Sequence, residues 1–271
     1  MKKILLTGAA GGVGTVLRAE YRDTYKLRLS DRSAIDNCGP NEEFIQADLS
    51  DPDAAREIVA GVDGIIHMGG FSVEGSWEQI LESNISGTYN LFEAARLEGV
   101  KRLVFASSNH AMGFYRRDET IDHTSPFRPD SRYGVSKAFG ESLGRLYADK
   151  YGAEVFNIRI GNLADEPLDV RRLGIWISPR DIAQLISIGL EHPDIHHEVV
   201  YGMSDNARAW WDNSNALRLG YRPQDRSEDF ASKVLAEHPA DTGNPLADSL
   251  QGGGFVSMES GGDPTKPDLE G

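Results

Sequence analysis

The stretch Gly8-Ala9-Ala10-Gly11-Gly12-Val13-Gly14 decides the fold, because it links the apolar run Lys3 to Thr7 to a helical segment that carries Val16 and Leu17. Glycines at this spacing let a backbone turn sharply and approach a pyrophosphate. They also let a helix N-terminus aim its free N–H groups at phosphate charge. A glycine cluster alone is a weak signal, since many turns are glycine-rich. Its position between a strand and a helix predicts a phosphate-binding loop.

Short β-rich runs alternate with helical segments along the first 160 residues. The further runs predicted as strands are Lys26 to Ser30, Phe44 to Ala47, Gly64 to Met68, Arg102 to Ser107 and Glu154 to Ile160. Several are almost wholly apolar, as parallel strands covered by helices on both faces must be. The sequence therefore predicts an α/β protein with a doubly wound parallel sheet of the Rossmann type.

The chain becomes less regular after Ile160, where a helix from Pro179 to Glu191 and an apolar strand, Val199 to Tyr201, are predicted. From about Pro223 it is rich in Gly, Pro and Asp, which is typical of a loose tail, yet the apolar Phe255 and Val256 suggest that this part packs. We expect residues 1–160 to form a dinucleotide-binding core. Residues 161–271 are expected to form a smaller substrate-binding portion and a tail, integrated into one domain.

The composition excludes several classes of protein. Acidic residues outnumber Lys and Arg by 42 to 28, and the formal charge of -14 makes nucleic acid an unsuitable partner. The single cysteine excludes an internal disulfide, and the N-terminal apolar run is too short for a signal peptide or a membrane span. His192, His196 and His197 show no metal-ligand spacing, so we expect them at the surface and expect no metal. We expect a cytoplasmic protein without a membrane partner.

Acidic residues follow the second and third predicted strands. A carboxylate at Asp31 suits the ribose hydroxyls of an adenosine and repels a 2′-phosphate, so NAD is expected rather than NADP, although Arg32 favours the opposite. Asp48 and Leu49 either lie along the adenine or cap the end of their strand. The cofactor contacts expected from these patterns are Gly8, Gly11, Gly12, Val13, Gly14, Asp31, Arg32, Asp48 and Leu49.

Tyr133 and Lys137 stand four residues apart, so in a helix they share one face. A nearby ammonium lowers the pKa of a phenol toward the working range and makes it usable as an acid or base. The polar run Ser107-Ser108-Asn109-His110 follows the fifth strand, at the sheet edge where open α/β folds bind ligands.

With these features the sequence resembles the extended short-chain dehydrogenase family over most of its first 160 residues. The motifs that carry the resemblance are the Gly8 to Gly14 loop, Asp31, His67-Met68-Gly69-Gly70, Asn84, Ser107-Ser108 and Tyr133 to Lys137. It implies that Tyr133 is the catalytic acid/base and that Lys137 tunes it and holds the nicotinamide ribose. Ser108, preferred to Ser107, would bind the reacting oxygen, and Met68, Gly69 and Gly70 would pass beneath the cofactor. Asn84 would order the active-site helix or would be a surface amide.

Four stretches are similar to the branch of this family that oxidises hexuronates, galacturonate and glucuronate, at the anomeric carbon to an aldarolactone. They are Gly70 to Glu74, Ser107 to His110, Val170 to Leu173 and Trp210 to Asn213, with a weaker likeness at Gln251 to Phe255. The short C-terminal part also favours a small substrate. The substrate contacts that follow are Ser72, Ser108, Asn109, His110, Asn162 and Arg171.

Arg171 is the predicted carboxylate ligand, because a guanidinium grips a carboxylate with two parallel hydrogen bonds. Arg172 is the second choice, and a surface salt bridge is the alternative for both. A homo-oligomer is expected. A sugar epimerase or reductase with the same catalytic residues, or a non-catalytic NAD-binding regulator, stays open as an alternative function.

Overall fold

The computed structural model describes residues 1–239 and 242–258. Its strands are β1 (Lys3–Thr7), β2 (Lys26–Asp31), β3 (Glu42–Gln46), β4 (Gly64–His67), β5 (Arg102–Ser108), β6 (Glu154–Ile160), β7 (Asn162–Leu163), β8 (Trp176–Ile177) and β9 (His197–Gly202). Seven of them form one parallel sheet in the order β3-β2-β1-β4-β5-β6-β9, and β7 pairs with β8. The predicted doubly wound sheet is confirmed.

Helices cover both faces of this sheet. They are α1 (Gly12–Tyr21), α2 (Pro52–Val59), α3 (Trp77–Ile80), α4 (Gly87–Glu98), α5 (Arg132–Tyr151), α6 (Arg172–Ile175), α7 (Pro179–Glu191), α8 (Ser214–Arg218), α9 (Ala231–Glu237) and α10 (Pro245–Ser249). Side chains of α1 and α7 fill the core on one face, and those of α2, α4 and α5 fill the core on the other. Burial on both faces explains why the strands read as continuous apolar runs.

The element bounds differ from the predicted ones at a few strand ends. The third strand begins at Glu42, because its backbone pairs with β2 from Leu27 onward, whereas the apolar pattern pointed to a start at Phe44. The fifth strand continues to Ser108, which pairs with Ile160. The helix Pro179–Glu191 is confirmed, and Ser178 caps it by accepting a hydrogen bond from the backbone N–H of Asp181.

The chain order places a ligand crevice at the carboxyl ends of β1 and β4, because the connections on either side of that pair run in opposite directions. The part of the chain after Ile160 contributes β9 to the sheet, and its end returns over the crevice with α10 and a 3₁₀ turn, Gly253–Ser257. Residues 259–271 of the expected C-terminal portion lie outside the described residues. Within the described part of the chain, no helix combines the length and the apolar character needed to cross a membrane.

Candidate active site

The glycine loop fits closely against the start of α1 and the end of β4. Gly8 has a φ of +68°, and a Cβ on it would lie 2.7 Å from the backbone nitrogen of Gly69. A Cβ on Gly14 would lie 2.7 Å from Cα of Ala9, so the helix could not pack so near. The N-cap residue of α1, Gly11, makes no side-chain capping bond, which leaves the N–H groups of the first turn directed to a ligand. The loop has the form of a phosphate cradle.

A cleft of about 380 Å³ opens from this cradle. It is lined by twelve of the thirteen predicted cofactor residues: Gly8, Gly11, Gly12, Val13, Gly14, Asp31, Arg32, Asp48, Leu49, Met68, Gly69 and Gly70. The thirteenth, Lys137, lines the adjoining cleft, and Val13, Met68, Gly70 and Ser72 line both clefts. The two clefts therefore share a wall, as the binding sites of a cofactor and its substrate must.

The carboxylates at the rim of the first cleft are held by the backbone. Asp31 accepts hydrogen bonds from the backbone N–H groups of Ala10 at 3.1 Å and Ser33 at 3.0 Å. Asp48 accepts one from Ser50 at 2.9 Å and lies 3.9 Å from the Arg32 guanidinium. Asp48 thus caps its strand end, as one of the two predicted readings had it, and it also faces the cleft.

Tyr133, Lys137 and Ser108 meet where α5 begins beside the end of β5. The side chain of Ser108 lies close enough to the Tyr133 phenol to exert a lowering effect on its pKa. The Lys137 ammonium donates to the carbonyl of Ala106 at 2.8 Å and lies 5.4 Å from the centre of the Tyr133 ring. Ser107 points the other way and donates to Glu141 at 2.5 Å. This arrangement puts Ser108 rather than Ser107 at the phenol.

The electrostatics of this trio differ from the sequence-based expectation. Burial raises the pKa of Tyr133 to about 12, against the opposing hydrogen bond from Ser108, and the Asp130 charge raises it further. Burial lowers the pKa of Lys137 to about 8. The expected lowering of the phenol's pKa by the ammonium is therefore wrong for this structure. Desolvation outweighs the attraction, and the ammonium is bonded to a carbonyl instead.

Asn84 lies on a π-helical segment, Leu81–Ser86, just before α4. Its amide nitrogen donates to the carbonyl of Phe71 at 2.9 Å and to the hydroxyl of Ser136 at 3.0 Å, and its oxygen accepts from the N–H of Phe71 at 2.7 Å. Only 3% of the residue is exposed, so the surface-amide reading is wrong. Asn84 ties α5 to the loop that carries Ser72.

The second cleft has a volume of about 800 Å³. All six predicted substrate contacts line it: Ser72, Ser108, Asn109, His110, Asn162 and Arg171. The side-chain oxygen of Asn162 is buried and has no hydrogen-bond partner in the described chain. A buried acceptor without a partner is costly, so this oxygen is available to a ligand that donates a hydrogen bond.

Arg171 and Arg172 have different surroundings. Arg172 forms an ion pair with Asp169, whereas no carboxylate of the described residues lies within ion-pair distance of Arg171. The Arg171 guanidinium donates through Nε at 3.0 Å and Nη2 at 2.6 Å to the carbonyl of Gln251. Burial lowers its pKa to about 10, and the positive charges of Arg117 and Arg172 add to the effect. The salt-bridge reading holds for Arg172 and fails for Arg171.

Sequence reasoning missed two residues that line this cleft, Arg117 and Phe255, and the buried Asp130 beside it. Arg117 lines it and donates to the carbonyls of Leu250 at 3.0 Å and Ala247 at 2.6 Å. Phe255 stacks on His110 with ring centres 3.8 Å apart, so the predicted packing of this apolar residue is confirmed, but its place at the site was not foreseen. The glycine run before Phe255 was the available signal, because glycines permit close backbone approach.

The positions of the histidines do not form a metal site in the described part of the chain. Within residues 1–239 and 242–258, no three His, Cys, Asp or Glu side chains converge as metal ligands. His196 pairs with Asp149 at the surface, but His197 is half-buried and contacts the amide of Asn157 at 3.1 Å. Its expected surface position is therefore wrong.

Comparisons with known proteins agree with this geometry. Residues 4–172 match the NAD dependent epimerase/dehydratase family. The chain is 49% identical over 256 residues to the uronate dehydrogenase of Pseudomonas putida, covering 94% of this chain and 95% of that protein. It superposes with a TM-score of 0.92 at 46% identity on a uronate dehydrogenase variant from Agrobacterium tumefaciens solved with NAD, covering 95% and 97% of the two chains. A glucuronic acid dehydrogenase from Chromohalobacter salexigens gives 0.92 at 42% identity, covering 98% and 99%. This chain belongs to the NAD dependent epimerase/dehydratase family and, within it, to the uronate dehydrogenases.

Proposed function

We propose that this enzyme oxidises a hexuronate, galacturonate or glucuronate, at the anomeric carbon to an aldarolactone with NAD. The observation that carries the proposal is Arg171, a largely desolvated guanidinium without a carboxylate partner in the described chain, which lines the same cleft as Tyr133 and Ser108. A buried cation of this kind is stabilised by an anionic ligand. The relatives named as uronate dehydrogenases support the same substrate.

The residues of the first cleft fit NAD. The cradle formed by Gly8, Gly11 and Gly14 has no room for a Cβ at two of its glycines and presents helix N–H groups to a pyrophosphate. Asp31 would accept hydrogen bonds from the adenosine ribose, and its charge disfavours a 2′-phosphate. Lys137 would hold the nicotinamide ribose. When bound, NAD supplies the acceptor for the hydride that leaves the substrate carbon.

The chain's own residues manage the proton. As hydride would leave the anomeric carbon for NAD, the O–H proton passes to the phenolic oxygen of Tyr133 and the C–O bond becomes a carbonyl. Because the sugar ring is already closed, its ring oxygen becomes the ester oxygen and the product is a lactone. Ser108 donates a hydrogen bond to the reacting oxygen and keeps it beside the phenol. The Ser108 side chain also favours the deprotonated phenol that accepts the proton. Burial of all three excludes water from the reacting atoms.

The remaining contacts orient the sugar. Arg171 would bind the carboxylate, and the amides of Asn109 and Asn162 with Ser72 and His110 would bind ring hydroxyls. With its amide oriented to satisfy both neighbours, Asn109 donates to the carbonyl of Ile160 and accepts from Arg171 at 3.1 Å, which fixes the guanidinium. We propose that residues 1–160 carry the NAD contacts and residues 161–271 contribute the carboxylate ligand. The homo-oligomer and the cytoplasmic location stay predictions.

The test is NADH formation followed by absorbance with purified enzyme, NAD and galacturonate or glucuronate. Galactose and NADP serve as controls, since the first lacks the carboxylate and the second carries the 2′-phosphate. We expect turnover confined to uronates and NAD. Turnover of neutral sugars at the same KM would contradict the substrate, and Arg171→Ala should raise the KM for the uronate while leaving NAD affinity unchanged. Equal weakening of both ligands would remove Arg171 from the carboxylate site.

A further inference from the structure

Asp130 is a buried carboxylate beside the substrate cleft that does not line it. Its side chain has 0% exposure and its Oδ2 lies 2.7 Å from Nδ1 of His110. An ionised carboxylate can only accept hydrogen bonds, so Nδ1 of His110 carries the proton in this contact. The other ring nitrogen, Nε2, has no partner among the described residues, and His110 lines the cleft. The imidazole therefore lines the cleft with Nδ1 already hydrogen-bonded to Asp130, which leaves Nε2 to interact with a ligand.

The second oxygen of Asp130 reaches the start of the catalytic helix. Oδ1 accepts from the hydroxyl of Ser131 at 2.8 Å, and that hydroxyl accepts from the backbone N–H of Gly134 at 3.0 Å. Ser131 is the N-cap residue of α5, two positions before Tyr133. One carboxylate thus connects His110 to the turn that presents the phenol.

The surroundings leave the His110 ring little freedom. A Cβ on Gly113 would lie 2.7 Å from Cβ of Asp130, and one on Gly252 would lie 3.0 Å from its Cγ, so two backbone segments close directly on this side chain. Phe255 stacks on the imidazole at 3.8 Å between ring centres. With the carboxylate on Nδ1 and an aromatic ring on one face, rotation of the imidazole would break both contacts.

We propose that Asp130 is a positioning residue that fixes His110 as the Nδ1-protonated tautomer, so that Nε2 accepts a hydrogen bond from a hydroxyl group of the sugar acid. The inference rests on the proposed function for the identity of the ligand, but the tautomer does not. A site built to accept a hydroxyl proton rejects a substrate that lacks this hydroxyl, because the acceptor is then left buried and unpaired. Asp130 would therefore contribute to substrate choice without touching the substrate.

The tautomer is measured first, by two-bond ¹H–¹⁵N correlation spectra of the enzyme labelled with ¹⁵N at histidine, with the His110 signals assigned by their loss in His110→Gln. We expect a protonated Nδ1 and an unprotonated Nε2 in the wild type. In Asp130→Asn the amide oxygen can still accept from Ser131, which turns the amide N–H₂ toward Nδ1 and favours the opposite tautomer. A wild-type enzyme with its proton on Nε2 overturns the proposal without any variant.

Steady-state kinetics then test whether Nε2 of His110 accepts a hydrogen bond from a hydroxyl group of the substrate. In Asp130→Asn we expect the KM for the uronate to rise about tenfold, the size of one lost hydrogen bond, with a smaller change in kcat and none in NAD affinity. In a panel of monodeoxy uronates, one member should show the same KM with both forms of the enzyme, because it lacks the hydroxyl that Nε2 accepts. If every member loses as much as the parent sugar, the proposal is wrong.

Asp118→Asn is the matched control, since this exposed carboxylate pairs only with Arg116 in the described contacts and lies outside both clefts. It should leave KM and kcat unchanged. The proposed function and the role of Asp130 are contradicted by different results. A wild type that turns over no uronate contradicts the proposed function, whereas an active wild type whose KM is unaffected by Asp130→Asn contradicts the role of Asp130.

Discussion

At the scale of single residues, the proposed catalytic base is one phenol, Tyr133, that is buried and hard to ionise. Burial raises the pKa of Tyr133 to about 12, although the proposed reaction needs it to accept a proton. Ser108 is the neighbour whose interaction favours the deprotonated form, whereas the charge of Asp130 opposes it. We therefore expect that neither Ser108 nor Lys137 can replace the phenolic oxygen of Tyr133 as the proton acceptor.

We predict that Tyr133→Phe retains NAD binding and loses nearly all turnover. The ring still packs against His110 and Phe255, whose centres lie 5.9 and 6.2 Å away, but the proton acceptor is gone. Loss of general-base catalysis reduces kcat by roughly 10²- to 10⁴-fold. NADH absorbance gives the rate, and quenching of protein fluorescence gives NAD affinity. A variant that keeps its rate would contradict the mechanism.

We predict that the buried ammonium of Lys137 lowers the free energy of unfolding of the enzyme. Burial lowers its pKa to about 8 from 10.5, so the charged form is destabilised in the folded enzyme. Lys137→Met should raise the free energy of unfolding by about 2 kcal/mol at pH 7, after allowing for the lost bond to Ala106. Since the folded pKa lies below the unfolded one, the penalty is complete below about pH 8 and fades as the pH approaches 10.5.

Urea unfolding without NAD at several pH values measures this difference. The gain from Lys137→Met should be largest at neutral pH and should shrink as the pH rises toward 10.5, above which the wild-type lysine is mostly neutral in the folded and the unfolded state. A gain that grows with pH would show that burial of the ammonium is not the cause.

At the scale of elements, the proposed NAD site at the sheet edge depends on the close packing of α1 against the glycine loop. We predict that Gly14→Ala lowers the free energy of unfolding by about 1 to 3 kcal/mol and weakens NAD binding, because the added Cβ would lie 2.7 Å from Cα of Ala9 and push the helix away. Thermal unfolding without NAD and NAD titration measure the two effects.

Gly12→Ala is the control within the same helix, since a Cβ there meets nothing within 4 Å. Its unfolding free energy without NAD should be unchanged or slightly higher, because alanine is the better helix former. If both variants lose stability equally, the close approach of α1 to the loop is not the reason that position 14 requires a glycine.

At the scale of the whole molecule, the end of the described chain completes the substrate cleft. Gln251 is buried, donates to the carbonyls of Arg116 at 3.0 Å and Glu119 at 3.1 Å, and accepts from the indole of Trp211 at 2.9 Å. Its backbone carbonyl accepts from Arg171. One residue therefore joins the C-terminal segment to the loop after β5 and to the proposed carboxylate ligand.

We predict that Gln251→Leu lowers the free energy of unfolding by about 3 kcal/mol, since it leaves buried polar partners unpaired, and raises the KM for the uronate. Ser249→Ala, in the same segment but exposed, should change neither quantity. Thermal unfolding and initial rates measure the two effects. A variant with lower stability and an unchanged KM would separate this segment from substrate binding.

The sequence alone determined the parallel sheet and the predicted contact residues that line the two clefts. Apolar periodicity and glycine spacing are local properties, and parallel strands bring their carboxyl ends to one edge whatever the detail. The tertiary structure alone decided how the side chains are used: that Ser107 turns to Glu141, that Lys137 bonds Ala106, and that Asp130 and Phe255 hold His110. These contacts join residues that are 20 to 145 positions apart in the chain. Burial and long-range packing are set by the whole fold, so no local pattern encodes them.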